Sequence, residues 1–420
     1  PTGFVGVSGD GLVLALLDAS PIASPGLERF FTLARACLLH DALRVGGFLL
    51  DIGEGDRETA FYAALARQCR INEYVFDVSP AEADGLAALS ARLAEALAND
   101  LPVPAIWVLA VAAYQPLHAV DPARRLLERA WPAPVAAVLT QQLVEHDEEQ
   151  RLRGRIRRLT PIEDDVSRLV RRQYEENPYP RWVRPAPVGQ PVSLAAHLRE
   201  RFPRAALEDL PDGPTLDVLI AGCGTGQHSL ETARVLRGAS VLAVDLSLTS
   251  LCYARRKTRE LAVANIEYAQ ADLLRLSEIG RRFDLVESSG VLHHLADPAA
   301  GWRALLPLVR PGGVMRIGLY SRLARRGIAK VRGMIQSRGL GGTAETIRAF
   351  RQELLDMPWE PDWGRYLLGD FFSVSGCRDL LFHVQEHCLS LLEIKRFCLE
   401  NSLSVLGVEV DPPVAAAYRE

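Results

Sequence analysis

From about Leu27 to Leu159 the apolar residues recur at spacings of three and four, as in FFTLARACLLHDAL, FYAALARQCRINEYVF and LAALSARLAEALA. That is the pattern of amphipathic helices packing on one another, and without a fixed-period repeat it predicts a helical domain over 1–160 rather than a solenoid. The segment QQLVEHDEEQRLRGRIRRL pairs opposite charges at i, i+4 and reads as a solvated connecting helix. A further helix from Ile162 to Glu176 runs into NPYPRWVRPAPVGQP, whose prolines forbid its continuation, so 161–214 is expected to be a linker helix followed by a Tyr-Pro lid. From Leu216 the texture changes to short β-rich runs, LDVLIAG, SVLAVDLS, NIEYAQAD, FDLVESSG and GVMRIGLY, separated by helical stretches. Such alternation predicts a parallel sheet wound with helices over 215–320. Beyond Ser321 the pattern returns to helix, interrupted by PWEPDWGRYLLGDFFS and closed by SVLGVEVD, which predicts a C-terminal helical region with a late strand over 321–420.

At 420 residues the chain has room for two to three domains, each with its own core. A formal charge of -4 and a sequence pI near 6.2 lack the basic footprint of general nucleic-acid binding, so no nucleic-acid partner is expected. The seven cysteines include no CxxC pair, which points away from a disulfide framework or zinc ribbon and towards a reducing cytoplasm. The longest stretch free of Asp, Glu, Lys and Arg, Leu101 to Val120, is broken by Pro102, Pro104 and Pro116 and reads as a buried helix rather than a bilayer span. The start, PTGFVGVSGDG, has neither a basic leader region nor an initiating Met, as expected of a fragment or processed product.

The first expected strand ends in AGCGTGQHSLETARVL, which sets Gly222, Gly224 and Gly226, with Cys223 and Thr225 between them, where a strand turns into a helix with free N–H groups. A dinucleotide fingerprint of the GxGxxG type wants its third glycine where Gln227 stands. A GxGxG turn suits a ligand without a pyrophosphate, the methionine portion of S-adenosylmethionine. Asp245 ends the next apolar run, where its carboxylate can accept both ribose hydroxyl protons. Asp272, after the third run, is placed to receive an adenine amino group, with Leu246 and Leu273 flanking the ring. Ser289 and Gly290 open the loop after the fourth strand, and a PGG turn precedes the fifth.

Taken together, LIAGCGTG, AVDLS, AQADLL, FDLVESSGVLHHL and LVRPGGVMRI resemble, in order and spacing, the class I S-adenosylmethionine-dependent methyltransferases over about 105 residues. INEYVF, VSRLVRRQYEENPYPRW and GCRDLLFHVQEH are similar to a narrower group of bacterial methyltransferases often joined to tetratricopeptide repeats, and more distantly to rickettsial protein lysine methyltransferases. The resemblance implies an α/β fold: a Rossmann-like class I methyltransferase core, an N-terminal all-helical domain and C-terminal helical additions. It implies S-adenosyl-L-methionine as cofactor and S-adenosyl-L-homocysteine as product. It also implies that Tyr174, Asn177, Tyr179 and Arg181 line the amino-acid end of the cofactor. The chain departs from the group in carrying no preceding repeats, and further sequence is expected after Glu420, including the antiparallel last strand.

Methyl transfer from a sulfonium depends chiefly on positioning, and a dedicated base is optional. His293 and His294 are expected to begin the helix after the fourth strand, with His293 as candidate base and Glu287 and Ser289 as polar neighbours. His383, Glu386 and His387 form HxxEH on an expected helix; with only 33 residues left for a third ligand no metal is expected, and His383 and Glu386 are assigned with Arg378 and Asp379 to a polar substrate wall, with Tyr179 as a further catalytic candidate. Two aromatic clusters, Tyr174, Tyr179, Trp182 and Trp359, Trp363, Tyr366, suit either a cation-attracting entrance or ordinary packing. Three readings of function stay open: a methyltransferase for a protein side chain such as lysine, one for a small-molecule or natural-product acceptor, and a non-catalytic cofactor-binding scaffold.

Overall fold

The computed structural model describes residues 8–44, 57–207, 210, 213–357 and 369–410. Packing divides the chain into two units that interleave in sequence. One comprises Pro1–Arg155, Asn177–Arg184 and Gly327–His383; the other comprises Ile156–Glu176, Pro185–Arg326 and Val384–Glu420. This partition cuts across the four consecutive segments expected from sequence. The Tyr-Pro segment groups with the helices of the first unit, and the expected C-terminal region is shared between the two.

The first unit is helical. Its core gathers Phe31, Phe61, Leu65, Leu93 and Leu109 from the N-terminal helices with Ile328, Val331, Ile347, Phe350 and Phe371 from the C-terminal ones. That shared core is why 327–383 belongs here. The helix Ala105–Tyr114 is buried at every position after its first, as the uncharged stretch around it suggested, and among the described residues no helix is long and apolar enough to cross a membrane. Glu28 and Arg351 form a buried ion pair inside this unit, with the guanidinium also lying over Phe371.

The second unit is built on a six-stranded sheet of order β1-β4-β3-β2-β5-β6, every pairing parallel. The strands are β1 (Arg157–Arg158), β2 (Leu216–Ala221), β3 (Ala239–Asp245), β4 (Ile266–Gln270), β5 (Phe283–Ser289) and β6 (Val309–Gly318). Val218 to Ala221 are almost wholly inaccessible, as befits a central parallel strand covered on both faces. Strand order reverses between β2 and β5, so a crevice opens beyond the carboxyl ends of the central strands, the usual ligand position in a wound sheet.

Three local expectations need correction. The charged helix expected through Leu159 ends at Arg153, with Gly154 as its cap, and Arg157–Arg158 instead pair with Ala269 and Gln270 at the sheet edge. HxxEH is not helical: Val374–Leu381 is the last turn before it, and the following segment is extended. There the His387 amide donates to the His293 carbonyl and the Leu389 amide to the Tyr320 carbonyl, at 2.7 and 2.8 Å. The late strand is absent among the described residues; Leu403–Val410 is irregular, held by Glu409 pairing with Arg316 and Arg201.

Candidate functional site

The glycine turn and Asp245 form one hydrogen-bonded unit at the carboxyl edge of β2 and β3. The Gly222 and Cys223 amides both donate to the Val244 carbonyl, which folds the chain back across the end of β3. Gly222, at φ +85°, brings its α-carbon so close to Val291 that a Cβ would lie 2.2 Å from a valine methyl. Gly226, at φ +83°, caps the helix Gln227–Val235 in the left-handed conformation, and a Cβ there would meet the Ala254 Cβ at 2.6 Å. Both positions therefore require glycine.

The Asp245 carboxylate is half-buried. Its Oδ2 accepts the Gly224 amide at 2.8 Å and its Oδ1 accepts the Ser247 amide at 2.9 Å. Each oxygen retains a lone pair, so the group still has room for two hydroxyl donors. Burial raises its pKa, and the Ser247 and Gly224 amides work against that rise. These features fit an adenosyl ribose: an acceptor pair held rigid by backbone donors, beside a turn whose Gly222, Gly224 and Gly226 carry no side chain.

Other expected residues distribute unevenly. The Tyr174 carbonyl accepts from the Ser247 hydroxyl at 3.0 Å, placing the end of the helix Asp165–Glu176 against the Asp245 loop. Glu175, which the sequence did not single out, fixes this junction by accepting from the Leu248 amide at 2.6 Å and the Thr249 hydroxyl at 2.7 Å. Its only sequence signal is an acid at a helix end beside Tyr174. Asp272 is buried and caps the turn Leu273–Ile279 through the Leu274 amide at 3.0 Å; burial raises its pKa. Leu246 is half-buried and its carbonyl accepts from Gln270, whereas Leu273 belongs to the apolar core with Trp302 and Phe397. Ser289 and Gly290 are exposed at the tip of β5. Thr225 is buried, and burial holds the Cys223 thiol well above its ordinary value, so that thiol is inert.

Within the helical unit, Asn177 accepts from Arg378, Tyr179 donates to Asp370 at 3.0 Å, and Arg181 pairs with Glu73 at 3.6 Å. His383 is buried there, and its carbonyl accepts from Arg332. Trp182 is buried, while Trp359, Trp363 and Tyr366 lie outside the described residues.

His293 lies in a short 3₁₀ turn, Leu292–His294, rather than an α-helix. It is inaccessible, stacks on Tyr320 at 3.7 Å and has no hydrogen-bond partner on either ring nitrogen among the described residues. Burial, with His294, Arg325 and His387 nearby, lowers its pKa to about 2, so the ring is neutral and weakly basic. Glu386 is tied to Arg325 at 2.7 Å, and the same guanidinium lies over the Tyr320 ring. Glu287 is buried beneath the helix Gln227–Val235, accepting from Thr232 at 2.9 Å and facing His228 at 3.2 Å and Arg316 at 3.5 Å.

A parallel sheet with this strand order, a GxGxG turn after β2 and an acid closing β3 define a Rossmann-like nucleoside-binding domain of the methyltransferase class. Comparison with known proteins agrees: residues 218–313 match the family model described as a methyltransferase domain, and this part of the chain is a domain of the S-adenosylmethionine-dependent kind. The chain is 39% identical over 97 residues to a ubiquinone biosynthesis O-methyltransferase of Acinetobacter baylyi, covering 23% of this chain and 40% of that protein. It is 27% identical over 213 residues to an uncharacterised protein of Synechococcus, covering 49% of this chain and 50% of the relative. Among solved structures, PKMT2 from Rickettsia typhi in complex with AdoHcy aligns at TM-score 0.40 and 20% identity, over 56% of this chain and 49% of that one. The chain thus spans about half or less of the length of these curated relatives.

Proposed function

We propose that the protein is an S-adenosylmethionine-dependent methyltransferase whose acceptor is a protein side chain, a lysine amine fitting best. The observation that carries the activity is the Asp245 carboxylate held by the Gly224 and Ser247 amides beside a glycine-rich turn. In this reading Asp245 orients the ribose hydroxyls, Gly222 to Gly226 admit the amino-acid portion, and Asp272 with Leu246 borders the adenine. Tyr174 is assigned to the amino-acid end, with Ser289 and Gly290 at the lip of the crevice. When bound, the cofactor would supply a sulfonium methyl carbon open to in-line attack by an acceptor lone pair, the C–S electron pair leaving with S-adenosylhomocysteine. The acceptor amine must arrive deprotonated, because its lone pair forms the new bond. A His293 ring this weakly basic serves better as a neutral, shape-defining wall than as a proton acceptor, and Glu386 is the sheet unit's candidate for polar contact with the acceptor.

The protein-acceptor reading is supported by the helical unit, which has a large core of its own and gives the methyltransferase domain a companion suited to holding a macromolecule. A small-molecule acceptor is favoured by a different observation, the 37–40% identity of the domain to ubiquinone biosynthesis O-methyltransferases. Incubating the full chain with methyl-labelled S-adenosylmethionine and a lysate of its source cell separates the two. Label in a protein band supports the first, label in the low-mass fraction supports the second, and cofactor binding without transfer overturns both in favour of a scaffold. Calorimetry with S-adenosylhomocysteine on Asp245→Asn tests the cofactor site: a loss of tenfold or more is expected, and unchanged affinity removes Asp245 from it.

A further inference from the structure

The loop that holds the Asp245 carboxylate is clamped in turn by Glu175. Ser247 caps the helix Leu248–Glu260 and is wholly buried. Its amide donates to Asp245 Oδ1 at 2.9 Å, its hydroxyl accepts from the Ser250 amide at 3.1 Å, and the same hydroxyl donates to the Tyr174 carbonyl at 3.0 Å. Glu175 takes the two residues that follow: its Oε1 accepts the Leu248 amide at 2.6 Å and its Oε2 the Thr249 hydroxyl at 2.7 Å. Leu248 opens its helix, so its amide has no partner inside the helix, and a carboxylate there also meets the positive end of the helix dipole. All of these residues belong to the sheet unit. Burial raises the Asp245 pKa, and the Glu175 charge adds to that rise, so the two carboxylates sense each other. The Cys223 thiol, which also faces Asp245, is held protonated.

From this arrangement we infer that Glu175 is a positioning residue for the cofactor: by fixing the Leu248 and Thr249 end of the helix it sets the Ser247 amide, and through it the orientation of Asp245. The inference rests on the reading of Asp245 as the ribose ligand. Without the clamp, the carboxylate must be ordered when the ligand arrives, and that ordering is taken from the affinity.

Calorimetry with S-adenosylhomocysteine on a double-mutant cycle of the full chain tests it. Glu175→Gln keeps the size of the side chain but puts an NH2 group where one of the two donors needs an acceptor. It is expected to weaken binding about fivefold in the wild-type background and by less than about twofold in Asp245→Asn, where the oriented acceptor is already gone. Glu175→Gln should also carry the loss of affinity on acidification to lower pH, because removing the like charge lowers the Asp245 pKa and keeps its carboxylate ionised further. Thr249→Val breaks the same clamp more mildly. It is expected to cost about threefold in the wild-type background and nothing measurable in Asp245→Asn, and it decides between the outcomes if circular dichroism finds Glu175→Gln unfolded. Equal losses in the two Asp245 backgrounds, or an acid limb that does not move, make Glu175 a merely structural residue and overturn the inference. Unchanged affinity in Asp245→Asn by itself overturns the underlying reading, and the inference with it.

Discussion

Replacing Gly226 with alanine isolates the physical demand of the glycine turn. The residue sits at φ +83°, where an L side chain costs about 1–2 kcal/mol. The added methyl would also lie 2.6 Å from the Ala254 Cβ and 2.9 Å from the Tyr268 hydroxyl. Both neighbours are buried, Ala254 in the helix Leu248–Glu260 and Tyr268 in β4, so relief requires moving an element, an overpacking cost of about 1–3 kcal/mol. Lower entropy of the unfolded chain returns about 0.4–1 kcal/mol. The expected net loss is about 2–4 kcal/mol. Gly280→Ala is the control: it too has a positive φ, +64°, but nothing within 4 Å of a Cβ, so it carries the backbone term alone, about 1 kcal/mol. Because a chain of two units need not unfold in one step, the measurement should be local: native-state hydrogen exchange of the β2 and β3 amides. Gly226→Ala should also weaken S-adenosylhomocysteine at least tenfold, since the turn presents the Gly224 amide to Asp245. If the two alanine variants lie within about 0.5 kcal/mol of each other, steric confinement of the turn is refuted.

Other consequences follow from titratable groups. Burial raises the pKa of Glu287, but His228, Arg316 and Thr232 outweigh it and hold the net value below the ordinary one. Glu287→Gln is expected to destabilise the sheet unit by about 1–3 kcal/mol at pH 7, Arg316 keeping Glu409 as a partner. Because a lowered carboxylate pKa contributes stability above the unfolded value that is lost as pH falls through the folded one, the gap between wild type and variant in denaturation experiments should close only below about pH 4; a gap that is constant down to pH 3 contradicts this. For His293, lowered to about 2, the unfolded chain binds a proton below about pH 6.5 that the native ring refuses, so wild-type stability falls as pH drops. His293→Phe, which keeps the stacking on Tyr320, should gain roughly 2 kcal/mol relative to wild type between pH 7.5 and 5; equal pH profiles would show that the ring titrates normally. Asp245 has the opposite sign, its pKa being raised by burial. Nucleoside binding that needs its carboxylate should weaken as pH falls through a value above the ordinary 3.9 or so, and Asp245→Asn should remove that dependence in calorimetric titrations.

What was legible in the sequence is what local pattern decides. All five apolar runs between Leu216 and Tyr320 contain strands, most plainly β2 and β3, where near-continuous Val, Leu, Ile and Ala suit strands covered on both faces. Asp245 and the glycines were legible because a strand tip and the turn after it are fixed by a few neighbouring residues. Where pairing is non-local, the pattern misled. Arg157–Arg158 read as the end of a charged helix, and only the free edge of β4 makes them a strand. HxxEH has helical spacing, but the carbonyls of His293 and Tyr320 draw its segment into extended pairing instead. The division into units could not be read at all, since Ile347 and Phe350 carry the same amphipathic signature whichever core receives them.

The same distinction separates residues that look chemical from residues placed to do chemistry. Glu287 and His293 each have a reactive side chain at the carboxyl end of the sheet, and sequence reasoning offers His293 as candidate base and Glu287 as its polar neighbour beside Asp245 as ribose ligand. Their surroundings differ. Glu287 has Thr232, His228 and Arg316 as partners and is buried, so its charge is consumed in fixing the helix that follows the glycine turn. The His293 ring has neither exposure nor, among the described residues, a hydrogen-bond partner, and stays neutral. Asp245 alone of the three is half-exposed and held by two backbone donors that leave acceptor capacity over. A carboxylate oriented by amides costs no rearrangement when a ligand arrives, whereas one satisfied by side chains must first give up its partners. That difference in residual capacity, rather than residue type or position along the strand, is what sets Asp245, the proposed ribose ligand, apart from its neighbours.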